Sequence, residues 1–117
     1  MDFEGAINAH VAWKMKLAKY LRSVDGSLDP ALIERDDGCE LGRWMKGPGL
    51  LKCGTKPSFL TLQTEHARFH KAASEIVRKA NAGQDVSADT ALGAGSSFTK
   101  ASTAVVGALM DLRRICG

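Results

Sequence analysis

The sequence predicts an all-α protein, a four-helix bundle with three long helices and a short helical insert. Apolar residues recur at steps of three and four along three long stretches, the period of one helix face rather than the alternation of a half-buried strand. All three prolines (Pro30, Pro48, Pro57) and six of the twelve glycines crowd into residues 26–57, so the punctuation is gathered into one irregular connector. The chain has 117 residues, 44% hydrophobic and 25% charged, which suits one soluble domain over residues 1–117 with no room for a separate catalytic domain.

The first long helix carries the stripe Phe3, Ile7, His10, Trp13, Leu17, Tyr20 and Val24, and Asp25-Gly26-Ser27 ends it. The connector holds one or two short helical turns, of which Leu41–Met45 is the fourth element. Pro57 suits the first turn of the next long helix. Its stripe is Phe59, Leu62, His66, Phe69, Ala73, Ile76 and Ala80, closed by Asn81-Ala82-Gly83. Ser87 or Asp85 can cap the last helix, whose stripe runs Leu92, Gly95, Phe98, Ser102, Val105, Leu109 and Leu112. That helix is rich in small residues, which allow close approach either inside the bundle or across a dimer interface.

Charge excludes several classes of function. Sixteen basic residues against 13 acidic give a net +3, scattered, with no stripe for nucleic acid and no polybasic membrane patch. No uncharged run reaches the ~18 residues of a membrane helix, and Met1-Asp2-Phe3-Glu4 lacks the start of a signal peptide. Three cysteines, an odd number at unequal spacing, argue against a disulfide framework and for a reducing, cytoplasmic setting.

All three histidines lie on the apolar stripes. His66 and His70, four apart, project from the same face one turn apart, and His10 lies mid-stripe on the first helix. Two buried imidazoles so close need a shared partner for their nitrogens. A thiolate from the connector, Cys39 or Cys53, would complete a closed tetrahedral zinc site.

The segments His10-Val-Ala-Trp13-Lys14, Cys39-Glu40-Leu41-Gly42-Arg43-Trp44 and His66-Ala67-Arg68-Phe69-His70, in that order and with those gaps, resemble the bacterial chemoreceptor zinc-binding domain, over about residues 3–114. The resemblance implies Zn²⁺ held by His10, Cys39, His66 and His70. It also implies a homodimer, and an attached or partner output such as a chemotaxis receptor or a diguanylate cyclase that makes cyclic di-GMP. Zinc or an oxidant such as hypochlorous acid is the implied input. A physical argument also favours Cys39, because a helix N-terminus and the nearby Arg43 lower a thiol's pKa toward the thiolate. Cys53 reads as a partly buried bystander and Cys116 as no ligand, while Trp13 and Trp44 read as packing that walls the site.

Two other classes of function fit the data less well. A histidine phosphotransfer bundle needs a solvent-exposed histidine. An iron-dependent helical-bundle enzyme needs inward glutamates with Glu-x-x-His motifs, which the sequence lacks. A closed four-ligand site leaves no open position for catalysis, so the expected role is regulatory and not enzymatic.

Overall fold

The computed structural model describes residues 3–35, 39–84, 86–87 and 91–116. Among them are six helices and no strand: α1 Phe3–Arg22, α2 Pro30–Glu34, α3 Glu40–Lys46, α4 Pro48–Cys53, α5 Pro57–Asn81 and α6 Ser97–Cys116. The three long helices form a bundle, and the molecule measures 43 × 25 × 20 Å. Its long dimension is close to that of α5, whose 25 residues span about 38 Å at the α-helical rise.

The periodic stripes become the core. All seven stripe residues of α5, from Phe59 to Ala80, are buried. So are Leu17 and Tyr20 of α1, and Phe98, Val105, Leu109 and Leu112 of α6. α5 packs chiefly along α6, and α1 leans on α6 as well. Ala101 and Ala108 are buried, so these two small residues of α6 serve close packing within the bundle, while Ser97 and Gly107 are exposed.

The helix ends follow local chemistry. α1 stops at Arg22, ahead of Gly26, which takes φ +76°. α5 closes at Asn81, just before Gly83 at φ +82°. Both glycines adopt a backbone that other residues rarely tolerate. The last long helix starts later than expected, at Ser97. Its cap is Ser96, whose Oγ accepts from the Thr99 amide at 3.1 Å; Gly93 and Gly95 separate it from the short turn at Ala91–Leu92. The alternative cap Asp85 lies outside the described residues, and Ser87 precedes a separate turn, its carbonyl accepting from the Ala91 amide at 2.9 Å.

The connector is more ordered than its composition implies, with three short helices where one or two turns were expected. Pro30 and Pro48 each open one, as Pro57 opens α5. Asp29 caps α2 by accepting from the Ala31 amide at 2.9 Å. α3 falls where a short helix was expected, packed chiefly against α4. Gly49 is buried at their junction, where a Cβ would come within 2.7 Å of the Trp44 ring.

The structure corrects the cysteine reading. Cys53, at the end of α4, forms a disulfide with Cys116 at the end of α6. Cys53 is completely buried, a covalent joint rather than a bystander. Cys39 keeps its thiol. An odd count excludes complete pairing, not one bond.

Candidate metal centre

The described fold brings His10, Cys39, His66 and His70 to one point. One donor atom from each lies within 4.8 Å of all the others. α1 supplies His10, two adjacent turns of α5 supply His66 and His70, and Cys39 stands at the N-terminus of α3. All three histidines are buried and Cys39 is half-buried.

Hydrogen bonds fix which ring atoms face inward. His10 Nδ1 donates to the Ala6 carbonyl at 3.1 Å, one turn back on α1. His70 Nδ1 donates to the Ile33 carbonyl of α2 at 2.8 Å. A carbonyl only accepts, so both Nδ1 atoms carry protons and both neutral rings present an Nε2 lone pair. His70 Nε2 meets His66 Nε2 at 3.0 Å. Cys39 Sγ lies 3.3 Å from His66 Nε2 and 3.6 Å from His70 Nε2. His10 Nε2 is buried and has no hydrogen-bond partner among the described residues.

A cation of tetrahedral preference fits this donor set. Bonds of ~2.0–2.1 Å to nitrogen and ~2.3 Å to sulfur place tetrahedral ligand atoms about 3.3–3.6 Å apart. The pairs among Cys39, His66 and His70 lie near this, at 3.0–3.6 Å, and no two of the four donor atoms are more than 4.8 Å apart. The partnerless Nε2 of His10 is the kind of buried polar atom that a bound ion satisfies.

Electrostatics prepare the imidazoles but not the thiol. Burial lowers the pKa of His66 to about 3, with His70, His10 and Lys46 adding repulsion. Burial also lowers that of His10, against the opposing effect of its hydrogen bond to Ala6. Burial pushes the Cys39 thiol up, outweighing the lowering by the Gly42 amide and by Arg43. That amide donates to Sγ at 3.3 Å, so the sulfur is the N-cap of α3. The expectation that the helix terminus lowers this pKa is therefore right in sign for that interaction and wrong for the net, because desolvation is larger.

A model of the chemoreceptor zinc-binding domain matches residues 10–77. The chain belongs to this family. The match starts at His10 and spans more than half of the 117 residues, including the other three side chains of the cluster. It is narrower than the span from about 3 to 114 that the motifs implied, and α6 lies outside it. Comparison with curated proteins and with solved structures returns no match.

Within this chemoreceptor zinc-binding domain, two supporting groups were not legible in the sequence. The Ile33 carbonyl orients His70, and a backbone acceptor leaves no residue-type signal. Phe69 appeared only as a stripe member, yet its ring lies 5.0 Å from that of His10, 5.4 Å from His70 and 5.1 Å from Phe98, sealing one side of the cluster. The two tryptophans separate in role. Trp13 lines a surface cavity of about 340 Å³ with Leu32, Ile33, Arg35, Cys39 and His70. Trp44 packs against Phe3 and Phe59.

Proposed function

We propose that this chain is a zinc-binding regulatory module, with His10, Cys39, His66 and His70 as the four ligands of one Zn²⁺. The observation carrying this reading is the convergence of three inward imidazole nitrogens and one sulfur within 4.8 Å, two of the rings being locked by carbonyl acceptors. When bound, the ion supplies a positive centre that holds the Cys39 sulfur as thiolate and cross-links α1, α5 and the α3 terminus.

The module has no catalytic role in this reading, because all four positions of a tetrahedral centre are taken. Its input is zinc occupancy or an oxidant of the hypochlorous acid class. In the oxidant branch the Cys39 thiolate attacks the chlorine of hypochlorous acid and hydroxide leaves. Water then hydrolyses the sulfenyl chloride to sulfenic acid, releasing chloride and a proton, and the site loses its thiolate donor. The cavity beside Trp13 leads to this half-buried sulfur. No helix among the described residues is long and apolar enough to cross a membrane, and the proposed setting is the cytoplasm. The proposed output is a chemotaxis receptor or a diguanylate cyclase, attached or in trans. A homodimer is also proposed, through the outward face of α6 where Thr103, Gly107 and Met110 are exposed.

Histidine phosphotransfer gains no support, since it needs an exposed imidazole and all three are buried. Metal analysis of purified protein tests the reading. The expected result is one zinc per chain, lost in the Cys39→Ala variant. A metal-free native chain that takes up no zinc, or a variant that keeps it fully, would refute it. Light scattering at micromolar concentration should give twice the chain mass, and a monomer would exclude the dimer.

A further inference from the structure

The disulfide lies outside the metal cluster, but the fold connects the two. Cys39 caps α3, α3 packs chiefly on α4, and α4 ends in Cys53, bonded to Cys116 at the end of α6. Of the four proposed ligands, the three histidines sit on long packed helices. Cys39 sits on the connector, at the start of α3, which buries Leu41 and Met45 and packs chiefly on α4. Leu50 and Leu51 of α4 are exposed, the second by 90%, whereas Cys53 is fully buried. Cys53 is thus a principal anchor of this short helix to the bundle.

We propose that the Cys53–Cys116 pair is a reversible redox site that sets how firmly Cys39 is held, so that reduction loosens zinc. The inference rests on the zinc reading above. In the cytoplasmic setting proposed there, a disulfide is more often a switch than a permanent staple. The substrate that opens it is a dithiol. One thiolate attacks the Cys116 sulfur, the more accessible of the two because Cys116 is only half-buried. A mixed disulfide forms and the Cys53 sulfur leaves as thiolate, taking up a proton. The second thiol of the reductant then attacks the mixed disulfide, releasing Cys116 as a thiol and leaving the reductant as its own disulfide. Two protein thiols are gained and two reductant thiols are lost.

Three measurements on the full chain test this. Protein treated with oxidised glutathione, then denatured and labelled with a maleimide, should show one reactive thiol per chain, Cys39, rising to three after dithiothreitol. Three thiols before reductant would overturn the proposal. Reduction should proceed in the folded protein with dithiothreitol or with a protein carrying a Cys-x-x-Cys pair, and the faster of these distinguishes a small from a protein source. Inertness to both would overturn it. Finally, zinc affinity by competition with a chromogenic chelator should be about tenfold weaker for Cys53→Ser/Cys116→Ser, which adds no new thiol ligands, than for the oxidised chain. The reduced wild-type chain, checked for helical signal, is the second arm should the variant fail to fold. Equal affinities would overturn this inference but not the zinc reading. Failure of every form to bind zinc would overturn both.

Discussion

Cys39 differs from the other three members of the cluster in anchorage and in protonation. Burial keeps His66 neutral down to about 3 and lowers His10, so these rings are ready donors at neutral pH. The same burial pushes the Cys39 thiol up, so binding a cation must expel its proton. Zinc uptake near pH 7 should therefore release about one proton per chain, and affinity should fall about tenfold per pH unit on acidification. Calorimetry in buffers of different ionisation enthalpy measures that number, and a value near zero or two would contradict the assignment. Cys39→Ser should weaken zinc by more than the roughly 10–100-fold that outer-shell changes cost. For the metal-free chain, the His66 shift acts on folding itself. The unfolded chain takes up the proton near 6.5 and the folded one only near 3, so the unfolded state binds more protons in that window. Stability is then unaffected above about pH 6.5 and falls as pH drops below it. An acid titration of the metal-free protein, followed by circular dichroism, should show that loss, and His66→Gln should reduce it.

Differences between helices decide which of them responds to the metal. α5 is held along its length by buried stripe residues, whereas α3 has seven residues and packs chiefly on another short helix. Chelation should therefore raise hydrogen exchange at Gly42 and neighbouring α3 amides while α5 keeps its protection. Unchanged protection over residues 39–46 would exclude the connector as the moving part. The same contrast explains what the sequence reveals. α5 was legible from Pro57 to Asn81 because a long helix repeats its signal, and its i, i+4 histidine pair pointed to a ligand site before any fold was known. α2 and α4 have five and six residues, too few for a period, and their starts are marked only by proline, with the Asp29 cap before α2. The late start of α6 was hidden because apolar residues continue the register back through Gly95 to Leu92, although the chain breaks there. No pattern in the sequence could pair Cys53 with Cys116 across 63 residues, since cysteine spacing does not determine connectivity.

At the scale of the whole molecule, one disulfide and one proposed metal cross-link act on a bundle that already has a core. Fully buried Phe59, Leu62, Phe98, Val105, Leu109 and Leu112 lie on α5 and α6, apart from the metal cluster. The metal-free chain should thus remain helical, unlike small zinc modules that unfold without their ion. In the proposed function zinc binds the folded state selectively, and at a hundredfold excess over its dissociation constant it should add about 2.7 kcal/mol, roughly 10 °C of melting temperature for a chain of this size. The Cys53–Cys116 bond acts on the other state, limiting the freedom of the unfolded chain by about 4 kcal/mol for a loop of this length. One link favours the folded form and the other penalises the unfolded one, and their stabilities add except for the coupling through α3 and α4. The double-mutant cycle is therefore the decisive measurement at this scale. Chelation of the oxidised chain should lower the melting temperature by roughly 10 °C with the far-ultraviolet helical signal kept at 25 °C. Chelation of Cys53→Ser/Cys116→Ser should lower it by less, because zinc is then held less tightly. Equal shifts in the two backgrounds would mean that the two cross-links act independently, and complete unfolding of the chelated oxidised chain would mean that the core of α5 and α6 cannot stand without the metal.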